Sequence, residues 1–205
     1  MKHIQKQNRE PESFASWKKQ NRGKNWGDFA QDNAEYLNLK EQLLSEQEGL
    51  CCYCEVAIEA DQSSNIEHLK PRSQFPTSEF KYANLLASCV HQDSCNAEKQ
   101  GWYSDKMVTP LQANCQKRFT YTQNGQIIPA KESDSHAQNT IDKLGLNCTR
   151  LRDRRKSMIK AMEAMLAHDS NPKPYLKKML KNCREWPHGF YTVCQYVAMN
   201  MGITI

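Results

Sequence analysis

The sequence predicts a small α+β protein, with short strands around a cysteine-held metal site in the middle and helices wrapping it from both ends. Three observations predict this. Cys51-x-x-Cys54 is followed by a second cysteine pair, Cys89 and Cys95, whose first member lies thirty-five residues after Cys54. Asn124-Gly125 separates two runs rich in aromatic and β-branched residues, the strongest short hairpin signal there is. On either side of this middle, apolar residues recur at the three-to-four spacing of a helix face.

Bulk composition sets outer bounds. A chain of 205 residues can form a single core without disulfides, and with 39% hydrophobic and 25% charged residues wholesale disorder is not expected. Lys plus Arg number 28 against 23 acidic residues, a surplus of +5 that permits nucleic-acid binding without demanding it. Nine cysteines, an odd number, combine with a polar start, MKHIQKQNREPES, and no apolar run near twenty residues. The expectation is a cytoplasmic protein with metal-bound thiolates, no membrane segment and no secreted disulfide scaffold.

Taken in order, residues 1–13 form a polar arm, flexible or draped. Phe14, Trp17, Trp26 and Phe29 then supply apolar positions. A helix is expected from about Asp32 to Glu46, since Tyr36, Leu39, Leu43 and Leu44 share one face, Asp32 or Asn33 can cap it and Gly49 can end it. This region packs on the metal core, or Trp17, Lys18, Lys19, Arg22 and Lys24 touch nucleic acid or a partner protein. Met107 to Ala130 reads as loop and hairpin. HAQNTIDKLGL reads as a short helix, and Asn147 can cap a longer one reaching about Ala167. That helix sets Leu151, Met158, Ile159, Met162, Met165 and Leu166 on one side and Arg150, Arg152, Arg154, Arg155, Lys156 and Lys160 on the rest. DSNPKP breaks it. The tail from Tyr175 to Ile205, with Trp186, Phe190, Tyr191 and Tyr196, is a closing helical layer or an assembly surface. The domain plan is therefore an arm and helix over 1–48, a zinc-stabilised core with its hairpin over 49–130, and a helical region over 131–205.

A C-x-x-C turn lets both sulfurs face one ion, and a closed structural zinc site needs four such ligands. Cys51, Cys54, Cys89 and Cys95 make that set, with VHQDS lengthening the second knuckle. His91 in that loop is an alternative ligand. Cys52 is offset by one and points elsewhere. Cys115, Cys148, Cys183 and Cys194 lack a pairing pattern and read as ordinary thiols.

Between the cysteines stand IEHLKP, with a carboxylate beside a histidine, then NLLASC and CNAEKQG. Cleaving a phosphodiester with water needs a base, an orienting partner for it, and a metal on the phosphate. C-x-x-C, E-H-x-x-P, N-L-x-x-x-C and C-N-x-x-K, in this order, resemble the HNH endonucleases with a ββα-metal site. EQEGLCCYCE, IEHLKPRSQFP, YANLLASC, FTYTQNGQIIPA and TIDKLGLNCTRLRDRR extend the resemblance to the PtuB-type HNH proteins of Septu and retron antiphage systems, over roughly residues 36–155. The resemblance implies a fold, an α+β chain with a ββα-metal core, and a role for each matching residue. His68 is the general base and Asn84 holds its loop. Glu67 and Asn96 ligate the catalytic ion, so the motif runs H-N-N. Lys99 falls where a basic residue meets a phosphate; beside the resemblance, Lys70 and Arg72 form a basic run that is either directed at nucleic acid or plain surface. An amide in the last position suits Mg2+ or Mn2+ better than a zinc-like ion.

The function expected on this basis is metal-dependent hydrolysis of nucleic acid, DNA by preference, as the effector of a bacterial antiphage system. The partners, a PtuA-like ATPase and a retron complex, are implied by the resemblance alone; no nucleotide-binding loop stands in this chain, so any ATP control comes from a partner. Two alternatives keep part of this reading: the same site acting on RNA, and a non-catalytic zinc-ribbon adaptor that binds nucleic acid or an ATPase.

Overall fold

The computed structural model describes residues 1–168, 171–181 and 189–203. Three helices open it: α1 (Glu12–Gln20), α2 (Trp26–Gln31) and α3 (Asn33–Glu46). The first two are too short to show a period in sequence, and local caps define them instead. Asn25 accepts from the amides of Gly27 and Asp28, and the Asp28 carboxylate returns the bond to Asn25 N at 2.8 Å, a reciprocal capping box. Asp32 caps α3 through Glu35 N, and Leu39, Leu43 and Leu44 are buried as their spacing requires. The aromatic residues of this region form one cluster. Phe29 lies 5.3 Å from Phe14, 4.8 Å from Trp17 and 5.0 Å from Trp26, and Phe80, from between the two cysteine pairs, joins the cluster.

The arm is draped over this body. Met1 and Ile4 are buried, and Lys6 binds Glu46 at 2.6 Å while standing over the Tyr82 ring. The N-terminal ammonium lies 2.7 Å from the buried carboxylate of Glu55, directly after the first knuckle.

Strands β1 (Ser64–His68) and β2 (Leu85–Cys89) pair antiparallel, with Ser64 opposite Cys89 and His68 opposite Leu85. Every residue of β2 is buried. Its second edge is sealed, because the Gln47 amide pairs with both backbone groups of Ala87 and Cys52 N also donates to Ala87 O. After β2 the chain turns sharply at Cys95, whose φ of +59° is unusual for a residue with a Cβ, into the single turn α4 (Asn96–Lys99).

Strands β3 (Phe119–Tyr121) and β4 (Ile127–Pro129) form the expected hairpin. Gly125 has φ +81°, and a Cβ there would lie 2.1 Å from the carbonyl oxygen of Arg152, so the turn packs directly on a helix backbone. That helix is α6 (Thr149–His168), preceded by α5 (Ser135–Lys143). Two expectations change here. Asn147 caps no helix: its amide accepts from Ile127 N and donates to Ile127 O, both at 2.9 Å, extending β4 as a further strand residue would. Arg155 is buried, donating to the carbonyls of Leu146 and Leu151 beside the Tyr121 ring. Backbone acceptors satisfy a guanidinium well enough for it to leave the solvated face.

Helices α7 (Pro172–Lys181) and α8 (Tyr191–Asn200) supply the closing layer, with Val193, Cys194, Val197 and Ala198 buried. Cys183 and Trp186 lie outside the described residues. Gly189 (φ +70°) passes so close that a Cβ would sit 2.0 Å from Glu55 O, and Thr192 donates through both its amide and its hydroxyl to the Glu55 carboxylate. No helix among the described residues is long and apolar enough to cross a membrane.

Candidate active site and metal centre

The four expected cysteines converge. Their sulfurs lie within 4.8 Å of one another, and all four residues are buried. Sulfurs about 2.3 Å from one zinc ion stand about 3.8 Å apart along a tetrahedral edge. The Cys51–Cys95 and Cys54–Cys89 separations are 3.7 and 3.9 Å. The donor set therefore fits a tetrahedral thiophilic ion. Cys89 N donates to Cys51 Sγ at 3.3 Å, the kind of outer support that fixes a thiolate ligand. Although burial opposes charge there, the neighbouring thiols of Cys52, Cys54, Cys89 and Cys95 hold the Cys51 thiol well below the usual range. His91 is exposed and stands outside the group.

On the other side of β1 opens a cleft of about 700 Å³, lined by Asn65, Glu67, His68, Arg72 and Asn96 among others. His68 ends β1, and its Nε2 lies 3.0 Å from the carbonyl oxygen of Glu79. A carbonyl can only accept, so Nε2 carries the proton and Nδ1 remains basic. Trp26 meets the imidazole edge-on at 4.3 Å. Burial lowers the His68 pKa to about 4, with the charges of Arg72 and Lys99 adding to the effect and the Glu79 carbonyl opposing it. The ring is thus neutral at pH 7.

Asn84 holds the loop that follows. It accepts from Lys70 N at 2.7 Å and donates to Lys70 O and Ser78 O at 3.1 and 3.0 Å, joining the segment after His68 to the segment that carries Glu79. All of its contacts are to backbone, so its work is to set the path of the loop.

Glu67 is buried with two donors on one oxygen: Tyr53 Oη at 2.9 Å and Lys99 Nζ at 2.8 Å. Burial pushes its pKa up, against the pull of Lys99 and Tyr53. Lys99 Nζ also donates to His68 O at 3.1 Å and is 1% exposed. Lys99, expected to face a phosphate, is instead an internal tie between α4 and β1. Lys70 stands 5.4 and 5.2 Å from the ring centres of Phe75 and Tyr103. Arg72 is exposed on the cleft wall, 3.5 Å from Glu79. Asn96, half-buried at the start of α4, faces the same cleft. Hence His68, Glu67, Asn96 and Arg72 share one cleft, while Lys70 and Lys99 are absent from its lining.

The oxygen donors at the cleft, a Glu67 carboxylate with one oxygen unclaimed by Tyr53 or Lys99 and the Asn96 amide, fit a hard divalent cation rather than a thiophilic one. Sequence reasoning missed Trp26, Tyr53 and Glu79. Tyr53 had a signal, since it lies inside the C-x-x-C turn. Glu79 acts through its backbone, which no side-chain pattern reports.

No protein-family model matches the chain. Among curated proteins, it is 30% identical over 135 residues to the "Retron Vc95 putative HNH endonuclease" of Vibrio cholerae serotype O1 biovar El Tor, covering 60% of this chain and 64% of that protein. It is 25% identical over 205 residues to the "Retron Ec83 putative HNH endonuclease" of Escherichia coli, covering 78% and 79%. The "Septu protein PtuB" of Bacillus thuringiensis is 29% identical over 115 residues, 53% of this chain and 41% of that one. The matches thus span less than two thirds of the first and third relatives' own lengths.

Proposed function

We propose that the chain, similar to retron- and PtuB-type HNH proteins, is a metal-dependent nuclease serving bacterial antiphage defence. β1, β2 and α4 make its ββα-metal core. Residues 49–130 carry the chemistry, and 1–48 and 131–205 brace it. The observation that carries this reading is the contact of His68 Nε2 with the Glu79 carbonyl. With Nε2 bound to the Glu79 carbonyl, a neutral Nδ1 is left to take the proton of an attacking water at the cleft.

Each remaining residue has a task. Trp26 packs on the imidazole and keeps water from its apolar edge, and Asn84 fixes the loop on which Glu79 presents its carbonyl. Lys99 and Tyr53 hold Glu67 with one oxygen toward the cleft. A divalent cation bound by Glu67 and Asn96 would neutralise the scissile phosphate and the departing 3′ oxygen. The cysteine cluster binds zinc and has no chemical role. DNA is the preferred substrate, Arg72 is the basic residue on the cleft wall, and a PtuA-like ATPase, within a retron assembly, supplies control.

The test incubates zinc-loaded wild type and His68→Ala with plasmid DNA and with RNA in Mn2+, with zinc content and melting temperature checked for both. Wild type should nick DNA, and His68→Ala should lose at least about 10²-fold in rate with fold and zinc intact. Equal cleavage by the variant refutes the base assignment. Cleavage of RNA alone moves the substrate class, and the absence of any cleavage with or without the ATPase leaves a zinc-ribbon adaptor.

A further inference from the structure

Strand β1 brings one more oxygen to the cleft. Side chains two apart on an extended strand project to the same face, so Asn65 stands beside Glu67, and both line the cleft with Asn96. Asn65 Oδ1 is shielded from solvent and has no hydrogen-bond partner. A buried acceptor without a donor costs about 1–3 kcal/mol, so it calls for an explanation, and at a cleft lined by a carboxylate and a second amide a bound cation supplies one. Being an acceptor, Oδ1 repels phosphate oxygens and attracts a cation. Neither nearby cation satisfies it: Lys99 is held by Glu67 and His68 O, and the exposed Arg72 stands 3.5 Å from Glu79.

We propose that Asn65 is a third protein oxygen ligand, beside Glu67 and Asn96, of the divalent cation at the cleft; the proposal rests on the nuclease reading above. Two amides and one carboxylate form a hard, weakly charged donor set. It favours Mg2+ or Mn2+, which keep part of their water shell, and discriminates against Zn2+, which the four thiolates satisfy. Asn65 also explains why Glu67 can spend one oxygen on Tyr53 and Lys99 and still serve. The cation draws on three residues rather than on both oxygens of one carboxylate.

The experiment titrates Mn2+ into zinc-loaded protein without nucleic acid, following free Mn2+ by electron paramagnetic resonance. Wild type should bind Mn2+ at one site, since thiolates holding zinc do not take it up. Asn65→Ala should weaken binding by about tenfold or more, and Asn65→Asp should restore or tighten it, with zinc content unchanged in both. If alanine disturbs the strand, Asn65→Leu removes the oxygen at nearly constant volume and carries the same test. Binding by these oxygen-free variants within twofold of wild type overturns the proposal and leaves the nuclease reading standing. Absence of any Mn2+ site in wild type overturns both the proposal and the metal-dependent chemistry. Absence of cleavage by wild type, with or without the ATPase, would sink the nuclease reading while leaving the titration unaffected, so the two failures are distinguishable.

Discussion

Replacing Lys99 with methionine tests the most consequential contact in the structure. Methionine keeps most of the stem and removes the ammonium, which lies 2.8 Å from Glu67 and 3.1 Å from His68 O at 1% exposure. Removing one partner of a buried ion pair costs about 3–5 kcal/mol, because the other charge stays buried and unmatched. For a chain of this size each kcal/mol moves the melting temperature by about 2–4 °C, so a fall of roughly 6–20 °C is expected. The pH dependence has a definite sign. Glu67 is raised above its ordinary 4.5 by burial, so the stability it contributes is present below 4.5 and is lost as pH rises through its folded value. Without Lys99 that value climbs further and the loss extends toward neutrality. The deficit of Lys99→Met should therefore be smallest near pH 4.5 and largest at pH 8, measured by thermal melts of zinc-loaded protein. Adding Glu67→Gln should return much of the stability at pH 8 by removing the orphaned charge. If Lys99→Met melts within about 2 °C of wild type at pH 8 while binding nucleic acid more weakly, the internal-tie argument is refuted and Lys99 faces phosphate after all.

Further expectations bear on other parts of the molecule. Glu55→Ala leaves the Met1 ammonium and the Thr192 hydroxyl without their carboxylate and should destabilise by about 3–5 kcal/mol, read in denaturant melts. Although burial opposes it, the Met1 ammonium and Thr192 hold the Glu55 carboxyl below 4.5, so its contribution persists above that value and disappears as pH falls through the folded one. Cys89→Ser should abolish stoichiometric zinc and cooperative unfolding, whereas Cys52→Ala should keep the zinc, because Cys52 is not among the clustered ligands. Asn84→Ala removes two hydrogen bonds to Lys70, just after His68, and one to Ser78, and should reduce cleavage at least about tenfold with zinc intact. With His68 lowered to about 4, its neutral form survives to that pH, so the acid limb of a single-turnover pH profile should fall near pH 4 rather than near 6.5.

Much of the site could be anticipated because metals impose local spacing. A C-x-x-C turn and a second pair at core distance specify a tetrahedron whatever lies between them, and α3, α6 and the Asn124-Gly125 hairpin carry their own periodicity and turn chemistry. The residues that escaped did so for long-range reasons. Lysine is seldom fully buried, so composition places Lys99 on the surface until Glu67 and His68 O are seen to surround it. Asn147 looks like a helix cap because asparagine often is one, and only the register of β4 shows its amide matched to Ile127. Arg155 and Glu55 belong to partners 9 and 137 residues away, at Leu146 and Thr192. Helices α1 and α2, of 9 and 6 residues, are shorter than the window over which an apolar stripe can be recognised.

Five consecutive residues, Cys95 to Lys99, contribute to the thiolate cluster, to the cleft wall through Asn96 and to the Glu67 tie through Lys99. The scaffold and the chemistry are therefore not genetically separable at this turn. A cysteine substitution meant as a mere folding control would also disturb the cleft, and under the nuclease proposal a loss of activity in such a variant would be uninformative about the base. Alleles that isolate catalysis must come from the strand side, at His68, where the imidazole can be removed without touching the turn.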